Sequence, residues 1–149
     1  MPRKNKKLPR HLLVIRTSAM GDVAMLPHAL RALKEAYPEV KVTVATKSLF
    51  HPFFEGLDVG FLDIETRRTH RGIRGAIRFA REAAELKIDA VADMHNVLRS
   101  KMVRAALHLR GIPVSVIHKG RIEKYMRLGR GSEGVKPLKH TVIRYCDVF

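Results

Sequence analysis

Five short apolar or β-branched runs recur along the chain: Leu12–Ile15, Lys41–Thr46, Val59–Ile64, Asp89–Met94 and Pro113–Ile117. Segments with helical spacing separate most of them. Val23, Leu26, Leu30, Leu33 and Tyr37 fall three or four residues apart, as one face of a helix requires. Pro27 lies inside that pattern and lacks a backbone donor, so the helix either starts irregularly or kinks there; Pro38 ends it. A short helix follows from Leu49 to Leu57, closed by Gly56. Another is expected from Ile73 to Lys87, and a third from Val97 to Leu109 with Leu98, Met102, Ala105 and Leu109 inward. A last helix begins near His140 and runs to Phe149. Strands that alternate with helices need crossover connections, and these produce a parallel sheet wound on both faces. The fold class is α/β.

The first of these crossovers is the most informative. Strand Leu12–Ile15 passes through Arg16-Thr-Ser-Ala-Met-Gly21 to Asp22 and then into a helix. This is the opening unit of a Rossmann-like sheet, in which ligands gather beyond the carboxyl ends of the strands. Asp22 has two readings from its position. As a helix N-cap it accepts free backbone N–H groups. As a carboxylate aimed into a cleft it is a candidate general base.

Charge narrows the partners. The 149 residues hold 29 Lys and Arg against 14 Asp and Glu, a net charge of +15, which favours an anionic partner. Met1 to Arg10 reads as a basic, solvated arm, and residues 11–149 as one domain. Arg71, Arg74, Arg78 and Arg81 share one helix face, apart from Ile73, Ile77, Ala80 and Ala84. That stripe is a solvated outer face or an anion site, with nothing in the spacing to choose between them. Nucleic acid is disfavoured: aromatics are 6%, Trp is absent, and aromatic and basic residues do not interleave as a base-stacking platform would. No apolar run approaches the ~20 residues that span a bilayer. The lone Cys146 forms no internal disulfide, so a cytoplasmic setting is expected. Gly129-Arg-Gly131-Ser-Glu-Gly134 matches a dinucleotide fingerprint literally, but no strand leads into it and Pro137 follows where a helix should open. A phosphate-binding lysine loop, a zinc-ligand cluster and a serine nucleophile elbow are all lacking, so no metal or resident cofactor is expected.

Thr17-Ser-Ala-Met-Gly-Asp-Val23, set directly after a first strand, resembles the opening motif of the ADP-heptose:lipopolysaccharide heptosyltransferases, inverting glycosyltransferases of the GT-B fold. Residues 26–38 resemble that family's first helix, and Asp93-Met-His-Asn-Val-Leu-Arg-Ser100 its segment after the fourth strand. His140-Thr-Val-Ile-Arg-Tyr145 resembles the helix closing its N-terminal domain. The resemblance implies the acceptor-binding N-terminal half of such an enzyme, with Asp22 as catalytic base. It implies that Ser18, Met20 and Gly21 lie against the acceptor sugar. Arg67, Arg68, Arg71, Arg99, Arg121 and Arg127, with Lys124, follow strand ends and are expected to meet the acceptor's anionic groups. The acceptor implied is a lipopolysaccharide precursor of the Kdo-lipid A type, reached peripherally at the inner membrane surface. The donor is ADP-heptose, held chiefly by a C-terminal domain for which these residues supply no pattern. The chain by itself is then expected to be inactive. Two alternatives stand beside this: a basic module binding nucleic acid, and a non-catalytic half that pairs with a separate C-terminal domain.

Overall fold

A computed structural model of the chain describes residues 8–117 and 140–149. Five strands, β1 (His11–Ile15), β2 (Lys41–Thr46), β3 (Gly60–Asp63), β4 (Ala90–Asp93) and β5 (Val114–Val116), form one parallel sheet. Their order is β3-β2-β1-β4-β5. Helices α1 (Met20–Ala36) and α4 (Thr141–Cys146), with a 3-10 helix at Ser48–Phe54, cover one face. Helices α2 (Gly72–Glu85) and α3 (Leu98–His108) cover the other.

The central strand shows why the sequence selects this arrangement. All five residues of β1 are buried, and they alternate between two cores. Leu12 and Val14 pack under α1 with Val23, Leu26, Leu30 and Tyr145, while Leu13 and Ile15 pack under α2 and α3 with Phe79, Val103 and Leu107. A strand buried on both faces is continuously apolar, as parallel sheets require.

Several expectations are corrected. Pro27 neither delays nor divides α1, which runs unbroken from Met20 to Ala36 with Pro27 buried. Asp22 is not the cap of α1: Ala19 holds that position without a side-chain hydrogen bond, and Asp22 lies in the first turn. The segment after β2 is a 3-10 helix that stops at Phe54, with Pro52 inside it. Helix α4 stops at Cys146 rather than continuing to Phe149, and His140 caps it by accepting the Val142 N–H at 3.3 Å. The inward face of α3 is Ser100, Val103 and Leu107; Leu98 and Leu109 are exposed. On α2 the buried set is Gly75, Ala76, Phe79, Ala80 and Ala83, which leaves Ile73 and Ile77 in solvent.

The amino ends of the strands are closed by a polar clamp. Asp89 accepts the backbone N–H groups of Arg10 and His11 at 2.8 and 2.9 Å. This ties down the end of the expected arm, of which Met1 to Lys7 lie outside the described residues. His11 is buried, its Nδ1 donating to the Leu86 carbonyl at 2.9 Å and its Nε2 accepting from the Thr43 hydroxyl at 2.7 Å. Those partners suit a neutral ring. Burial, chiefly, holds its pKa below the usual 6.5, and nearby Lys41 adds to this against the opposing pull of the Leu86 carbonyl and Asp89. As pH falls through about 6.5 the unfolded chain takes up this proton while the folded chain does not, so stability drops on the acid side. Thermal unfolding followed from pH 7.5 to 5 is expected to show that loss, and His11→Gln is expected to flatten it. An equal acid loss in the variant would exclude His11 as the cause.

Candidate active site

Sheet order reverses about β1, whose neighbours β2 and β4 lead away in opposite directions. In an open parallel sheet the ligand crevice opens at such a switch point, beyond the carboxyl ends of the strands. Here the residues that leave β1 and β4 are joined. The Thr17 N–H donates to His95 Nδ1 at 3.2 Å, and Ser18 Oγ lies 3.4 Å from His95 Nε2. Because Nδ1 accepts, the neutral ring carries its proton on Nε2, facing the Ser18 hydroxyl.

The β4 turn that places His95 is built by Asp93, which is completely buried. One carboxylate oxygen accepts the N–H groups of His95 and Asn96 at 2.9 and 2.8 Å, and the other accepts from Arg104 Nη1 at 3.2 Å. Asn96 has a φ of 47°, a left-handed conformation that Asn tolerates better than most residues. Ser100, in the first turn of α3, accepts the Val97 N–H at 3.0 Å and so starts the helix.

Arg16 is the organising cation. It is 6% exposed, yet its guanidinium meets three different elements. Nη1 donates to the Met94 carbonyl at 2.6 Å, Nη2 pairs with Asp22 Oδ2, and the group lies 6.0 Å over the Tyr145 ring. Tyr145 in turn donates its hydroxyl to the Asp22 backbone carbonyl at 3.1 Å. Burial pushes the Tyr145 pKa up to about 12; Asp22 adds to that and Arg16 opposes it, so the phenol stays a donor. Arg16, Met94 and Tyr145 thus fix where the Asp22 carboxylate stands. Its side chain is 42% exposed, and Oδ1 has no protein partner among the described residues. A fixed, solvent-reaching carboxylate has the form of a proton acceptor for a bound hydroxyl.

A small cleft of about 100 Å³ opens at the same edge. Thr17, Ser18, Lys47, Thr66, His95 and Arg99 give it a polar wall with two cations. Arg99 Nη2 donates to the Thr66 carbonyl at 3.5 Å, which joins the start of α3 to the loop after β3. Paired N–H donors beside hydroxyls suit a carboxylate or a phosphate.

Of the residues expected to meet ligand, the structure brings Ser18 and Arg99 to this cleft. Met20 and Gly21 are exposed at the start of α1, alongside Asp22. Arg67, Arg68 and Arg71 are exposed on the loop after β3 and do not line the cleft. Arg121, Lys124, Arg127 and the glycine-rich 129–134 stretch lie outside the described residues. Arg16, Lys47, Thr66 and His95 were missed. The signals for them were faint: an arginine ending an apolar strand, and single polar residues just past strand ends. Among the described residues no three His, Cys, Asp or Glu side chains gather as a metal site, and no helix is long and apolar enough to cross a membrane.

No protein-family model matches the chain, and no curated protein matches it. Solved structures do. Over 93% of the chain it is similar to a glycosyl transferase family 9 protein from Veillonella parvula, with a TM-score of 0.68 and 16% identity. Over the same share it is similar to E. coli heptosyltransferase WaaC with ADP, at 0.59 and 24%. Its likeness to E. coli ADP-heptose lps heptosyltransferase II has a TM-score of 0.62 and 21% identity. The chain spans 40%, 45% and 39% of those three proteins respectively. By fold, then, the chain is a Rossmann-like α/β unit like one domain of these glycosyltransferases.

Proposed function

We propose that the chain is the acceptor-binding part of a glycosyltransferase that moves heptose from ADP-heptose to the inner core of lipopolysaccharide. In this reading an acceptor sugar hydroxyl lies against Asp22. The hydroxyl oxygen attacks the anomeric carbon while the bond to ADP breaks on the opposite face, and Asp22 takes the hydroxyl proton as it becomes acidic. The residues of this chain supply the base and the seat for the acceptor. The donor is held elsewhere in the active enzyme, by a second domain. Lys47, Arg99 and the hydroxyls of Ser18 and Thr66 receive an anionic group of the acceptor, such as a Kdo carboxylate. The observation that carries the reading is the Asp22 carboxylate, anchored by a buried arginine yet open to solvent at the switch point of the sheet.

The test is transfer from ADP-heptose to Kdo-lipid A by a polypeptide holding this chain together with its donor-binding domain. Transfer supports the reading, and its absence with every acceptor tried would overturn it. Arg99→Gln is expected to raise the acceptor KM about tenfold with little change in kcat, the loss of one charge-assisted contact. An unchanged KM would remove Arg99 from the acceptor site.

A further inference from the structure

The core leaves one part of the fold unexplained. Helix α2 buries its small residues and Phe79 but turns its isoleucines outward: Ile73 is 68% exposed and Ile77 47%. At about 100° per residue these two lie about 40° apart on the helix wheel, and Arg81 and Arg74 come next on the same open arc. Arg78 follows, held by Glu82 at 3.1 Å, and Glu82 also bonds the His70 ring at 2.9 Å. From residue 65 to 85 there are six arginines against three glutamates. The helix therefore shows solvent an apolar strip flanked by an excess of guanidinium groups.

We propose that this face of α2 docks on an anionic phospholipid bilayer. Ile73 and Ile77 enter the boundary between headgroups and acyl chains, while Arg71, Arg74 and Arg81 meet lipid phosphates. A surface-lying amphipathic helix needs both parts, an apolar strip to bury and cations for the headgroups. Aliphatic side chains would be left in water on a nucleic acid, and the helix's one aromatic ring, Phe79, is fully buried and cannot stack on a base. A second copy of the chain would set arginine against arginine. The proposal goes beyond the transfer reading, because the measurements below need neither donor nor acceptor and stand or fall without it.

Flotation of the full chain with vesicles tests it. Binding is expected to vesicles of phosphatidylcholine and phosphatidylglycerol at about 3:1, and to weaken strongly on pure phosphatidylcholine. Ile73→Glu with Ile77→Glu is expected to lower the partition coefficient about tenfold or more without changing the thermal midpoint, since both side chains are exposed. Arg74→Gln with Arg81→Gln is expected to lower it about tenfold on the anionic vesicles alone. Leu109→Glu alters an exposed leucine at the far end of α3 and should leave binding unchanged. The chain contains no tryptophan, so Ile73→Trp provides a single reporter whose emission should shift to the blue on vesicle binding. Failure to float with anionic vesicles overturns the proposal. So does flotation that survives both double variants, or a bound Ile73→Trp chain whose emission does not move. Retention on RNA that these variants abolish, without vesicle binding, would assign the face to nucleic acid instead.

Discussion

Alanine at Gly75 is expected to destabilise the fold by about 3 kcal/mol or more, at or above the upper end of overpacking costs. A Cβ built there lies 2.1 Å from the His70 carbonyl carbon and 2.6 Å from its Cα and O. All three are backbone atoms, so no side chain can swing aside. His70 cannot retreat easily either. Its Nδ1 accepts the Glu65 N–H at 3.0 Å, its Nε2 donates to Glu82 at 2.9 Å, and its ring stands edge-on to Phe79 at 5.4 Å. The added methyl must therefore drive α2 away from the loop that leads into it, opening the core around Phe79. Gly21→Ala is the matched control, because nothing lies within 4 Å of its Cβ position. Urea unfolding should show a large loss for Gly75→Ala and none for Gly21→Ala. Equal midpoints would mean that the loop and α2 are not packed as described.

Asp22→Asn is expected to cut transfer in the active enzyme by about 10²- to 10⁴-fold, the usual worth of a positioned base. Asparagine keeps an oxygen to face Arg16, so the guanidinium is not left without an acceptor on that side. It keeps the shape as well, and loses only the ability to take a proton. Acceptor binding and thermal stability should survive while kcat collapses. Asp22→Ala is a poorer test, because it strips a partner from an almost fully buried cation and confounds chemistry with folding. Turnover of Asp22→Asn within about threefold of the parent would reduce the carboxylate to a companion of Arg16.

How much of this was legible differs from element to element. The strands were readable because each core strand is apolar on both faces, and β1 spells that out in four consecutive residues from Leu12 to Ile15. The helix faces were not. Reading Leu98 and Leu109 as inward assumes that the largest apolar side chains seek the core. The buried faces of α2 and α3 instead mix small groups, Gly75, Ala76, Ala80, Ala83 and Ser100, with single large ones, Phe79 and Leu107, so size alone does not say which apolar side chains turn inward. Asp22 could be singled out from its place after the first strand, but its anchor could not. Arg16 finds the Met94 carbonyl across 78 residues, and Tyr145 reaches Asp22 across 123. Contacts at that separation leave no periodic trace. Within the described part of the arginine cluster, Arg99 lines the cleft and Arg67, Arg68 and Arg71 do not: following a strand end places a residue at the right edge of the sheet without saying which way it points.

The guanidinium of Arg16 has one more implication. It is seated on a main-chain carbonyl beyond β4 while gripping a side chain from α1, and an aromatic ring covers it. Moving that carboxylate would mean drawing a charge out of its socket, so Asp22 behaves as a fixed stop. Incoming molecules must come to it, and selectivity falls to whatever aligns them.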